Sequence, residues 1–281
     1  MWPTFAPADD ITTLESYGYE IVENAFNCIV NCTGIDFEFA QGGCQQRAHV
    51  ITMLLHKKFN IQHCKVWLFA PAALHHNDTR AFYVEDKNKL ADLIYWNYHV
   101  APAVLIKEGE KENFYVIDPC INRHKPILLD TWFKSIGDSS TGRYGLYFPE
   151  KYFFNSLYTK DNKSTTVFDG TFAEYTEKDK DDLMIEKGLA MNDVAMYIYN
   201  TYIKPMMEDP AADTAKLEDL KAIFGNATAL HKLLSKNVSG YIPNTTHRYV
   251  VTYYDDILLD AKALFYKRMV HWTKYINELM K

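Results

Sequence analysis

Residues 98–119 read YHVAPAVLIKEGEKENFYVIDP, two β-rich runs on either side of a short charged link. Branched and aromatic runs separated by so brief a polar segment read as a β-hairpin, which commits this part of the chain to an antiparallel sheet. A two-residue turn at Glu108-Gly109 would set Ala103 opposite Phe114, Ala101 opposite Val116 and His99 opposite Asp118. The small-against-large pairs make a sensible core layer, and the imidazole and the carboxylate share one face. A slip of one residue would send them to opposite faces. Pro102 has no N–H to give to a ladder, so the strand has a free edge or a bulge at that point.

Upstream lies QGGCQQRAHVITMLL, beginning at Gln41. Cys44, Ala48, Ile51 and Leu55 fall on one face at the 3.6-residue period, with Leu54 beside them, and predict a helix from 44 to about 59. Cys44 therefore sits at the helix start and points inward. Unpaired N–H groups and the positive dipole end at that position favour a thiolate and can hold a developing oxyanion. Gly42 and Gly43 allow another part of the chain to approach closely. A small buried residue at a helix start is the plainer reading of Cys44. A nucleophilic thiol needs an imidazole and a third group to orient it, and His99 with Asp118 supplies both.

Other residues carry weaker signals. His49, five positions past Cys44, points off the cysteine face and reads as a hydrogen-bonded structural histidine. Cys28 and Cys32 are four apart on a helix, a spacing open to metal ligation, but no second ligand pair with zinc-like spacing accompanies them. They read as buried thiols, and neither a metal nor an organic cofactor is expected. Trp96 and Tyr98 flank His99 and read equally as channel walls and as core. Asp130 and Trp132 read as loop or strand-edge residues.

The wider pattern mixes helix and strand from about 12 to 160, through LESYGYEIVENAFNCIVN, KVWLFAP and GLYFPEKYF. It then turns helical, with helices expected at 178–203, 214–236 and 254–280. A boundary near 165 divides the chain into domains 1–165 and 166–281. A length of 281 residues with 48% hydrophobic content suits two such cores. A net charge of -6 and a pI near 5.9 leave no basic footprint for nucleic acid. No apolar run is long enough to span a bilayer. The five cysteines, an odd number, leave at least one thiol free.

The succession GGCQQRAH, KVWLF, YWNYHVAPAVLI, FYVIDP and PILLDTWF resembles the bacterial protein-glutaminases over roughly residues 25–150. The resemblance implies an α+β fold with a papain/transglutaminase-like core, in which a cysteine helix packs on an antiparallel sheet, followed here by a helical C-terminal region. It implies a Cys44–His99–Asp118 triad that deamidates glutamine side chains in proteins or peptides to glutamate through a thioester. Gly43, Gln45, Trp96 and Tyr98 adjoin the nucleophile or the base in sequence and are the candidate substrate-binding residues. Two features depart from the family pattern: Gln45-Gln46 replaces an aromatic or small residue after the cysteine, and Cys120 follows Asp-Pro where serine is usual. Relatives are secreted with a pro-segment over the site, which implies a secreted or periplasmic protein; neither a signal peptide nor such a segment is read ahead of Cys44, so the residues alone leave two readings, a cytoplasmic chain or one from which a leader has been removed. The same triad would also serve a transglutaminase or a cysteine protease, and a binding module with a vestigial triad is the reading from another class.

Overall fold

The structure is a computed structural model that describes residues 9, 11, 13–75, 77–154, 172–174, 184–234 and 254–281. Two compact units are present. The first comprises residues 1–37, 44–85 and 93–180, and the second comprises 38–43, 86–92 and 181–281. The boundary expected near 165 falls outside the described residues. Two short segments of the N-terminal half belong to the second unit, a membership that no composition change marks.

The first unit opens with β1 (Ser16–Tyr17), α1 (Tyr19–Cys32), α2 (Cys44–Lys57), β2 (Cys64–Phe69) and α3 (Pro71–Leu74). It continues with β3 (Phe82–Glu85), β4 (Leu93–Trp96), β5 (Tyr98–Glu108), β6 (Lys111–Val116), β7 (Ile127–Leu128), α4 (Leu129–Lys134), β8 (Arg143–Tyr147), β9 (Lys151–Phe154) and β10 (Phe172–Glu174). Its main sheet runs β7-β6-β5-β2-β8 and is antiparallel along this path, while β1 joins β5 in parallel. The fold class is thus α+β, with the cysteine helix packed on β5. The packing is apolar: Ala48 of α2 shares one core cluster with Trp67 and Phe69 of β2, Val100 of β5 and Tyr147 of β8, and Cys44 lies against it.

The hairpin is real, but its register differs from the expected one. The turn residues are Gly109 and Glu110, closed by the Glu108–Lys111 pair, so Ala103 faces Val116 and Leu105 faces Phe114. Gly109 has φ +65°, which suits the first central position of a type II′ turn, where glycine is the favoured residue. That requirement moves the turn one residue on and the pairing by two. His99 and Asp118 are therefore not direct ladder partners. A shift of two preserves the face, because side chains alternate with period two. The β5–β6 ladder ends at Ala103, with Ile117 N–H still donating to Pro102 O at 2.8 Å. Pro102 marks where the β6 side of β5 falls free, and Asp118 comes down in that space.

Helix α2 is buried more completely than one apolar face requires, since Gln45 through Thr52 are all buried. Its far side carries a polar cluster. Lys65 Nζ, in the middle of β2, lies 2.7 Å from His49 Nδ1 and donates to Lys151 O at 2.9 Å, while the His49 ring meets Tyr152 edge-on at 5.0 Å. His63 Nδ1 donates to Ile61 O at 2.8 Å. Burial holds both imidazoles neutral, lowering His49 well below its ordinary range and His63 to about 4, with Lys65 pressing both the same way. Burial likewise lowers Lys65 well below its ordinary range.

These shifts have a consequence for stability. An unfolded histidine takes a proton near pH 6.5, whereas folded His63 resists until about 4. Between those values the unfolded chain binds more protons, so the contribution is complete above pH 6.5 and is lost as pH falls toward 4. From His63 alone the loss is roughly 3 kcal/mol. Urea midpoints measured from pH 7 to 4.5 should fall steeply, and His63→Gln should flatten that slope. A flat profile in the unaltered chain would show that the imidazole is not held neutral.

The second unit contains α5 (Ile185–Ile198), a π-helical turn at Tyr199–Ile203, α6 (Lys204–Glu208), α7 (Thr214–Phe224), α8 (Ala227–Leu234) and α9 (Asp255–Met280). The helical character expected here is present, although residues 178–183 and 235–236 of the expected spans lie outside the described set. α9 packs along α5, and Asp193 Oδ2 accepts from Arg268 Nε at 2.5 Å and from Trp272 Nε1 at 2.6 Å.

Candidate active site

Cys44 is the first residue of α2. The preceding Gly43 has φ +78°, a left-handed conformation that turns the chain into the helix. Both glycines of the pair are closely approached, as their sequence suggests. A Cβ on Gly42 would stand 2.6 Å from Ala227 Cβ, and one on Gly43 would stand 2.5 Å from Asn192 Nδ2. These contacts lie within the second unit, which also ties the segment through Gln41 Nε2 to Asp86 Oδ2 (2.8 Å) and Asn88 Nδ2 to Glu38 O (3.0 Å).

His99, the second residue of β5, is 1% exposed. Its Nε2 pairs with Asp118 Oδ2 at 2.7 Å, so Nδ1 is the ring nitrogen left for Cys44, the thiol beside it. In the resting structure Nδ1 has no hydrogen bond of good geometry. The three residues singled out in the sequence are thus brought to one place. They border a small cavity that Arg47 and Cys120 also line, with Phe37 and Ile51 among its apolar walls.

The electrostatics follow from this arrangement. Burial opposes a charge on His99, but the Asp118 carboxylate outweighs it, with a smaller push from Cys44, and the imidazole is raised to about 9. Burial likewise opposes a charge on Asp118. The His99 cation, the Trp132 indole and the Arg47 guanidinium together reverse that and hold the carboxyl below its ordinary range. The pair is therefore a carboxylate with a protonated ring across neutral pH, ready to donate a proton to a leaving group.

Trp132 is the residue that sequence reasoning missed. It lies in α4 rather than on a loop or strand edge, is fully buried, and donates Nε1–H to Asp118 Oδ2 at 2.8 Å. Its ring stacks on His99 at 5.6 Å, while Trp96 stacks at 4.2 Å and 6°. Two indoles thus fix the imidazole plane. Trp96 meets the ring that it was expected to flank. The available signal was the run PILLDTWF, since a buried tryptophan needs a partner for its N–H.

Tyr98 and Gln45 are joined, with the phenol donating to Gln45 Oε1 at 2.5 Å. His49 is apart from Cys44 in its bond with Lys65. Cys28 and Cys32 are not the buried thiols expected: Cys28 is half-buried and accepts from Lys58 Nζ at 3.2 Å, and Cys32 is exposed, because their helix face meets solvent. No group of metal-ligating side chains is present among the described residues. Cys120, the second thiol near the pair, is pushed up to about 12, chiefly by burial, and Cys64 reaches the same value for the same reason.

The family model described as glutaminase matches residues 22–136. No curated protein matches the chain. Among solved structures, the NMR structure of protein-glutaminase from Chryseobacterium proteolyticum aligns at 15% identity over 72% of this chain and 96% of that one, with a TM-score of 0.45. A crystal structure of protein-glutaminase aligns at 15% identity over 68% and 91%, with a TM-score of 0.43. The matched segment holds α2, β5, β6 and α4, so the stretch that is similar to the glutaminase family is the one that carries Cys44, His99 and Asp118.

Proposed function

We propose that the chain is a cysteine-dependent amidohydrolase that converts glutamine side chains of proteins or peptides to glutamate and releases ammonia through a thioester on Cys44. The observation that carries this reading is the 2.7 Å pairing of His99 Nε2 with Asp118 Oδ2 beside Cys44, inside the segment that matches the glutaminase family. The Cys44 sulfur attacks the carboxamide carbon, and the carbonyl electron pair moves to oxygen. As the adduct collapses, protonated His99 gives its proton to the departing nitrogen and ammonia leaves. Water then adds to the thioester, His99 takes its proton, and the thiolate is expelled to leave a carboxylate. Asp118 keeps the ring oriented and supports its charged form without taking the proton itself.

In this reading the N-terminal domain performs the chemistry, and the helices of 166–281 are an accessory domain that governs which proteins reach it. Protein or peptide glutamines are the substrates, and Gln45, Trp96 and Tyr98 of the first unit border the place where the carboxamide enters. Action outside the cytoplasm rests on the family resemblance; among the described residues no helix is long and apolar enough to cross a membrane.

The full chain, given a denatured glutamine-rich protein, should release ammonia and raise the product mass by about one dalton per site as –NH2 becomes –OH, and Cys44→Ala should do neither. Polypeptides joined with loss of ammonia would instead assign a transglutaminase. New termini without ammonia would assign a protease.

A further inference from the structure

One buried donor beside the thiol has no partner. Gln45 is the second residue of α2 and is 6% exposed, yet its Nε2 makes no hydrogen bond. Its orientation is not free. The Tyr98 hydroxyl, at the first residue of β5, donates to Gln45 Oε1 and turns the amide nitrogen away from itself. Burial, with a smaller push from Cys44, raises the Tyr98 phenol far above its ordinary range, so it stays protonated and remains a donor. Tyr98 and Cys44 pack against the same apolar cluster. All three residues belong to the first unit.

A buried N–H without an acceptor is unfavourable, and in a native structure it calls for an explanation. Hydrolysis at Cys44 supplies one. Its tetrahedral adduct carries a negative oxygen, which needs preorganised donors in a site shielded from water. Backbone N–H groups at the start of α2 provide one kind. Two neighbouring groups without a hydrogen bond do not compete for this role: Gln41 Oε1 is an acceptor, and Asn192 Nδ2 belongs to the second unit.

We propose that the Gln45 side-chain amide is the second donor of the oxyanion site, and that Tyr98 is the positioning residue that aims it. The inference rests on the hydrolase reading above. As sulfur bonds to the carboxamide carbon, the carbonyl oxygen gains the electron pair and Nε2–H closes on it. When the C–N or C–S bond breaks, the pair returns and the hydrogen bond weakens.

The test compares reactions that do and do not create an oxyanion. Iodoacetamide alkylates Cys44 by displacement at a saturated carbon, which makes none. A peptide aldehyde with –CHO in place of the glutamine carboxamide forms a thiohemiacetal, which makes one. In the full chain, Gln45→Leu should lower kcat for peptide deamidation by about 10²–10³ with KM changed by less than about threefold. Affinity for the aldehyde should fall to a similar extent, while the alkylation rate stays within about threefold of the unaltered chain. Tyr98→Phe keeps Gln45 itself but removes the hydroxyl that aims its amide, and should lower kcat and aldehyde affinity together by about tenfold; it decides the matter if the leucine variant does not fold. Unchanged aldehyde affinity in a folded variant overturns the proposal, as does alkylation that falls in step with turnover. If the unaltered chain releases no ammonia from glutamine, the hydrolase reading has failed, and the aldehyde and alkylation rates still decide whether Gln45 is a donor.

Discussion

Asp118→Asn is expected to lower kcat by about 10³–10⁴, roughly 4–5 kcal/mol of transition-state stabilisation, while the chain still folds. The size of the effect follows from what meets the carboxylate. Oδ2 accepts from both His99 Nε2 and Trp132 Nε1, and Oδ1 accepts from the Cys120 N–H at 3.2 Å. An amide has one acceptor oxygen and one donor nitrogen, so either orientation sets N–H against N–H. With the nitrogen toward His99 the ring must accept at Nε2 and carry its proton on Nδ1, where it can no longer take one from Cys44, and the Trp132 N–H is still opposed; with the oxygen there, Nδ2–H meets the Cys120 N–H. The charge is lost as well. With the carboxylate gone, burial is left to act on His99, and the ring falls from about 9. The alkaline limb of the kcat/KM profile should therefore move to lower pH. Ammonia release and thermal unfolding measured on the same preparations separate this from misfolding. Full activity, or a limb that stays in place, removes Asp118 from the mechanism.

That pair was half legible in the sequence. Alternating apolar residues and a charged link announced the hairpin, and parity alone put His99 and Asp118 on one face. The exact pairing depended on which residue would take a positive φ. Gly109 takes it, and the register moved by two. Trp132 was not legible in the same way. It reaches Asp118 only because β7 pairs beside β6 and α4 then folds back, a placement set by tertiary contacts rather than by the period of its own segment. His49 was read as a hydrogen-bonded structural histidine, and it is one, but its partner was not legible. Lys65 meets it inside the protein across sixteen positions, a pairing that the period of the helix does not reveal. Least visible was the membership of residues 38–43 and 86–92 in the helical unit, for which Gly42-Gly43 gave the lone local hint.

That hint leads to the other large effect, at Gly43. Alanine there must hold φ near +78°, which costs an L-residue about 1–2 kcal/mol. Its Cβ would also stand 2.5 Å from Asn192 Nδ2, 3.0 Å from Oδ1 and 3.1 Å from Cγ. Asn192 is 3% exposed on α5, so moving its amide clear of the overlap displaces a buried side chain and adds about 1–3 kcal/mol of overpacking. Gly43→Ala should therefore destabilise the chain by roughly 2–5 kcal/mol in all, seen as a lower urea midpoint. Activity should fall further than stability, because the next peptide unit carries the Cys44 N–H and the first turn of α2. Combining Gly43→Ala with Asn192→Ala separates the two causes: the overlap is relieved, the backbone cost stays, and stability should return part of the way. The expectation drawn from sequence, that the C-terminal helices modulate rather than perform the chemistry, is tested by the same pair of variants. If Gly43→Ala is as stable and active as the unaltered chain, the hold of α5 on this loop has no bearing on the nucleophile. If the double variant is no more stable than the single one, the left-handed backbone of Gly43 accounts for the whole cost and Asn192 for none of it.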